Sequence, residues 1–88
     1  MRVRFEPRTK VPAHTHPDER TVTVLSGTYR FGLGNRYASD ALHDYGAGTV
    51  IIVPANMAHF SAAGADGAVV QESGAGPTGA AVVEPPSP

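Results

Sequence analysis

His14 and His16, separated by Thr15, and His59 forty-three residues further on within Pro54-Ala-Asn-Met-Ala-His-Phe60, are the residues whose type and spacing could do chemistry. Neutral imidazoles are nitrogen ligands for divalent transition ions. The run Val11-Pro-Ala-His-Thr-His16 reads as extended chain, in which residues two apart project from one face. Both rings then point the same way, whereas a helix would need a spacing of three or four. Three such nitrogens suit one ion of Fe, Zn, Ni, Co, Cu or Mn and leave positions for water or substrate. The competing reading of any single histidine is a surface or hydrogen-bonded side chain. His43, in a polar connection beside Ala41, Leu42 and Asp44, is read that way and given no role.

Composition bounds the partners. Eighty-eight residues make one domain with a modest core, which metal or a partner would help. With no cysteine there are neither disulfides nor thiolate ligands, so a metal must take nitrogen and oxygen. A net charge of −1 with 17% charged residues forms no basic stripe, which argues against nucleic acid as partner. No apolar stretch approaches the ~20 residues that span a bilayer, and Met1-Arg-Val-Arg-Phe-Glu-Pro lacks the apolar middle of a secretion signal. The expectation is a cytoplasmic protein without nucleic-acid or membrane partners.

The elements that must position the histidines read as short β-runs, rich in valine, threonine and aromatics and broken by glycine and proline. They are residues 2–6, 9–16, 20–25, 28–33, 49–53, 59–62, 67–72 and 79–84, an all-β set. Ser26-Gly27 should turn the chain tightly between two runs, Gly27 supplying the positive φ of a hairpin. Between Gly34 and Gly48, Ala38, Ala41 and Leu42 can line one face of a short helical turn. Thr49-Val-Ile-Ile-Val53 is apolar at both parities, so each side needs a cover: the core on one side, and on the other either a second sheet of the chain or a second copy of it in a homodimer. Residues 85–88, within Glu84-Pro-Pro-Ser-Pro, should leave the domain of residues 1–84 as an extended tail.

At this level of detail the chain resembles a single-domain cupin of the small bacterial type, whose fold is a jelly-roll barrel, or double-stranded β-helix. The first cupin motif runs Gly-x5-His-x-His, three or four residues, Glu, six residues, Gly, and His14, His16 and Gly27 stand at corresponding places. The second runs Gly-x5-Pro-x-Gly-x2-His-x3-Asn, matched by Gly48, Pro54 and His59. Asn56 replaces its middle glycine, a mild change because asparagine readily takes the left-handed conformation. Arg8 occupies the place of the first glycine and Ala63 that of the final asparagine. The family's glutamate position holds Arg20, with Asp18 and Glu19 one or two residues early, so the carboxylate ligand is missing or displaced. The stretch from His16 to Thr28 is similar to a cupin subgroup with arginine in that slot. The resemblance spans about residues 10 to 74, and it implies a fold rather than an activity, because one fold hosts many tasks.

Pro17 interrupts the strand, so whether Arg20 faces inward cannot be counted from His16. If inward, its guanidinium would clamp a substrate carboxylate or phosphate; if outward, it would pair with Asp18 or Glu19. Tyr29, Phe31 and Phe60, with Val22 and Val24, are expected as cavity lining or core, and the Tyr29 phenol as a candidate acid or base. Two functions follow. One is a metal-dependent enzyme, of dioxygenase or Lewis-acid type, acting on a small anionic or carbonyl-containing molecule. The alternative is a non-catalytic module that binds or senses such a molecule. Beyond the ligands no second histidine or buried carboxylate has an obvious claim to proton transfer, which among enzymes favours iron-dependent dioxygenation.

Overall fold

The computed structural model describes residues 1–74 and the backbone of residues 81–82. Among the described residues seven strands form: β1 (Arg2–Phe5), β2 (Lys10–Thr15), β3 (Arg20–Leu33), β4 (His43–Tyr45), β5 (Val50–Val53), β6 (His59–Gly74) and β7 (Ala81–Val82), with one 3-10 turn at Ser39–Ala41. Every pairing is antiparallel. The all-β expectation holds.

Two long strands carry the architecture. β3 and β6 pair from Arg20 opposite Gly74 to Leu33 opposite His59. A straight strand of 14 residues would reach roughly 46 Å, yet the longest extent of the molecule is 33 Å, so the ribbon has to bend. It does so where the register shifts between Val24 and Ser26 and again between Gly27 and Tyr29. Gly27 (φ 75°) and Gly67 (φ 72°) take left-handed conformations at this bend. A Cβ on Gly27 would collide with the Gly67 carbonyl oxygen, so only glycine lets the two backbones approach this closely. On one side of the bend, Arg20–Thr23 pair with β5, and Arg20–Val24 pair with the end of β6, which takes β1 on its other edge. On the other, Tyr29–Phe31 pair with β4, and Tyr29–Leu33 pair with the start of β6, which is followed by β2 and then β7.

This overturns the hairpin expected at Ser26-Gly27. Residues 20–25 and 28–33 are one strand, as are residues 59–62 and 67–72. A positive-φ glycine serves a bulge as well as a two-residue turn, and β6 runs beside both halves of β3, so the chain bends instead of reversing. The stretch from Gly34 to Gly48 does hold its short helical turn, but His43 stands in strand β4, which the sequence does not announce. Of the expected run 79–84, Ala81–Val82 is the strand β7; the rest of it and the Pro-rich tail lie outside the described residues.

The core has two parts. Val22, Val24, Tyr29, Phe31, Val53, Ala63, Ala68 and Val70 fill the inside of the bend, with Val3, Phe5 and Ile51 packed on them. Ala13, Phe60, Ala62 and Leu42 form a second cluster, closed by Tyr37, Ala38 and Ala41 from the segment around the 3-10 turn. In β5, Val53 is buried but Val50 and Ile52 are 56% and 63% exposed, so no second sheet among the described residues covers them.

Candidate metal centre

A bulge in β2 sets the direction of the first two histidines. Val11 pairs with Ser61 and His14 with His59, so three steps on β2 oppose two on β6. Pro12 sits in that bulge, where its missing N–H breaks no ladder bond. The extra residue flips the parity, and Val11, His14 and His16 all line one cavity of about 390 Å³. Ala13, completely buried, points the other way into the second cluster. His59 opens β6 directly opposite His14 and lines the same cavity, joined by Arg20, Val22, Tyr29, Val53, Ser61 and Glu72. Arg20 and Glu72 lie at the far end of the β3–β6 ribbon from His59, and only the bend brings them to it.

The three rings face each other. Their centroids are 4.2 Å apart for His14 and His59, 4.9 Å for His14 and His16, and 5.3 Å for His16 and His59. The ring of Phe31 stacks on His59 at 5.4 Å. The Nδ1 of His14 bonds the Pro12 carbonyl at 2.8 Å and that of His59 the Met57 carbonyl at 3.0 Å. A carbonyl only accepts, so each Nδ1 carries the hydrogen and each Nε2 keeps its lone pair, the usual outer support of a metal-ligating imidazole. Burial, with the neighbouring His14 and His16 adding to it, pushes the His59 pKa down to about 4, which keeps that ring neutral.

The donor set fits a metal ion. One nitrogen from each of the three histidines lies within 4.8 Å of the others. Nitrogens sharing an ion at ~2.1 Å stand at most about 4.2 Å apart, so small ring rotations close the set. Among the described residues no carboxylate joins the cluster: Asp18 pairs through Oδ1 with the Arg20 Nε at 3.0 Å, and Glu19 is exposed. Arg20 itself is 5% exposed and faces the cavity, which resolves the parity that Pro17 obscured. The Asn56 N–H donates to the His16 carbonyl at 2.8 Å and so ties the two ligand segments together. Asn56 takes φ 61°, the left-handed conformation expected of it, and Arg8 has the same φ at the other glycine position.

The aromatic residues expected as lining or core divide between the two. Tyr29 faces the cavity, hydrogen-bonded to Ser61, and burial together with the Glu72 charge outweighs that bond and pushes its phenol up to about 12. It is therefore a neutral donor near pH 7 and no base. Phe60 belongs to the second cluster, 1% exposed, because residues 59 and 60 alternate across the strand. Val22 lines the cavity, while Val24 packs deeper in the core. Sequence reasoning missed Ser61 and Glu72; Ser61 could have been found two residues beyond His59, on the same face.

The sequence profile of the cupin domain family matches residues 1–70. No curated protein matches the chain. Among solved structures, an uncharacterized conserved protein with a double-stranded beta-helix domain from Klebsiella pneumoniae is 23% identical with a TM-score of 0.74, over 96% of this chain and 72% of that one. An oxalate oxidase is 26% identical with a TM-score of 0.77, over 99% of this chain and 50% of the other. The polyketide cyclase RemF from Streptomyces resistomycificus is 19% identical with a TM-score of 0.73, over 97% and 59%. The chain thus spans about half to three quarters of the length of these structures. With a bent seven-stranded sheet, a histidine from each of its two motif regions in register across β2 and β6, and a family profile that covers most of its length, the chain belongs to the cupin domain family.

Proposed function

We propose that His14, His16 and His59 hold one divalent transition ion, of Fe, Zn, Ni, Co, Cu or Mn, and that the cavity around it works on a small anionic or carbonyl-containing organic molecule. The observation that carries this reading is the convergence of three imidazoles, two of them with Nδ1 held by backbone carbonyls, on the wall of a 390 Å³ cavity. A bound ion supplies Lewis acidity or, if iron, a site for dioxygen chemistry. Three protein ligands leave coordination positions open, the arrangement of catalytic rather than structural sites, and this favours an enzyme over a purely binding module.

The chain's own groups have distinct roles in this scheme. Arg20, held by Asp18, presents its guanidinium at the cavity to a substrate carboxylate or phosphate. Tyr29 and Ser61 offer hydroxyl groups on the wall of the same cavity. Val3, Phe5, Val11, Val22 and Val53 keep water from the rest. Arg20→Lys, which retains the charge but loses the fork, should weaken binding of small carboxylates several-fold without loss of metal; unchanged affinity would remove Arg20 from the site.

The exposed Val50 and Ile52 on the uncharged strand β5 favour a homodimer that covers this edge. Sedimentation should show a dimer that Ile52→Lys dissociates; a monomeric wild-type chain at high concentration would contradict it. The functional test is metal analysis of protein purified without a histidine tag, followed by oxygen consumption of the Fe(II)-loaded form with a panel of thiols, diketones and aromatic diols. The expected result is one ion per chain and uptake with at least one class; a folded, metal-free protein that binds none on reconstitution would overturn the proposal.

A further inference from the structure

Glu72 is the carboxylate that the cavity holds and the scheme above leaves unused. It lies on β6, opposite Val22 in register, and lines the cavity together with the three histidines. Its backbone is fixed by Met1: the Glu72 N–H donates to the Met1 carbonyl at 2.7 Å, and the Met1 amino group donates to the Glu72 carbonyl at 2.6 Å. The side chain is half-buried, and no described residue hydrogen-bonds or pairs with its carboxylate. Its charge is felt inside, since it helps raise the Tyr29 phenol. The other acidic side chain near the cavity, Asp18, is committed to Arg20.

We infer that Glu72 selects the ligand's second group: the cavity takes a small molecule with an oxygen end for the histidine centre and a hydroxyl or ammonium donor for Glu72, and it rejects dicarboxylates. This rests on the proposed function of the same cavity. A carboxylate is acceptor-only when charged, so it binds a donor well and faces a second carboxylate at a loss. The cavity's volume of about 390 Å³ is at the small end for ligand sites, so a short dianion has little room to turn its second charge away from Glu72. Arg20, the diagonal neighbour of Glu72 across β3 and β6, already has its charge offset by Asp18, and the Tyr29 hydroxyl can donate to a ligand but cannot neutralise an anion. The dianion oxalate, named for the similar oxidase, therefore falls outside the class this chain accepts.

The probes are β-alanine, hydracrylate and malonate, which share a three-carbon carboxylate and end in an ammonium, a hydroxyl or a second carboxylate. Titration calorimetry on the zinc-loaded full chain should rank β-alanine and hydracrylate above malonate. Glu72→Gln should raise malonate relative to β-alanine by about tenfold, with zinc content unchanged. An unchanged ratio overturns the inference, as does loss of zinc from Glu72→Gln, which would make Glu72 a ligand. Should that variant fail to fold, the side-chain carboxyl carbon resonance of wild-type Glu72 decides: it should move with β-alanine and not with acetate, and a resonance indifferent to both overturns the inference. A wild-type chain that takes no zinc would defeat the metal reading alone, and the same ratio measured on the metal-free chain would still decide the role of Glu72.

Discussion

Replacing Gly27 tests the bend that brings the two ends of the ribbon to one cavity. Alanine at φ 75° costs about 1–2 kcal/mol for the left-handed backbone. The new Cβ also meets the Gly67 carbonyl oxygen and lies 3.0 Å from the Ala68 Cα, and forcing backbone apart in this way costs a further 1–3 kcal/mol or so. The expected loss is roughly 2–5 kcal/mol, out of a total near 4–13 for a domain of this length. Two controls separate the causes. Gly48→Ala meets nothing within 4 Å but sits at φ 93°, so it should lose only the backbone part, about 1–2 kcal/mol. Gly46→Ala meets nothing and has no positive φ, so it should be neutral or stabilise by about 0.4–1 kcal/mol. The assay is urea unfolding followed by circular dichroism, with a common slope across the series. Gly27→Asn is the sharpest member: asparagine tolerates left-handed backbone, so a turn would accept it, whereas a bulge pressed against Gly67 would not. Stability of Gly27→Asn within about 0.5 kcal/mol of wild type would refute the bend and restore the hairpin.

Further outcomes follow from the burial and protonation of individual groups. The Tyr29 phenol is raised above its ordinary value of 10, so its contribution to stability is complete below pH 10 and lost as pH climbs toward 12. Tyrosinate absorbance should show a late step near pH 12 that Tyr29→Phe removes; a Tyr29 that ionises near pH 10 would contradict its buried, Glu72-facing place. Phe60→Ala should cost about 3–5 kcal/mol by urea unfolding and leave metal affinity nearly unchanged, because the ring packs away from the histidines. A large loss of metal affinity with intact folding would return Phe60 to the cavity wall. His59→Ala should abolish tight zinc binding while keeping the β-sheet circular dichroism signal, and full retention of zinc would mean the third ligand lies elsewhere.

The chemistry-bearing residues were the most legible part of the sequence. The His-x-His spacing suits only extended chain, and Asn56 reaches the left-handed conformation that its place in the second motif requires. Geometry that depends on partners was less legible. Gly27 announces a positive φ, but whether the chain reverses there or bends is decided by β6, forty residues away. Counting twos gives the right face for His14 and His16 relative to each other but the wrong one relative to Val11, because the bulge at Pro12 adds a residue. Lining and core both stood open for Phe60, and the strand alternation that sets it opposite His59 decides for core. The inward orientation of Arg20 and the presence of Glu72 were hidden for one reason: each enters the cavity only because the ribbon folds over, and no local pattern carries that information. His43, given no site role, pairs with Phe31 in a strand too short and polar to be read from sequence.

Anomalous diffraction from crystals of the metal-loaded protein tests the central claim most directly, because it names the element and locates it in one experiment. The account predicts a single peak per chain, bonded to the Nε2 atoms of His14, His16 and His59 at about 2.0–2.1 Å, with both Nδ1 hydrogen bonds to Pro12 and Met57 retained. A peak elsewhere, or the three rings turned apart around no peak at all, would contradict it.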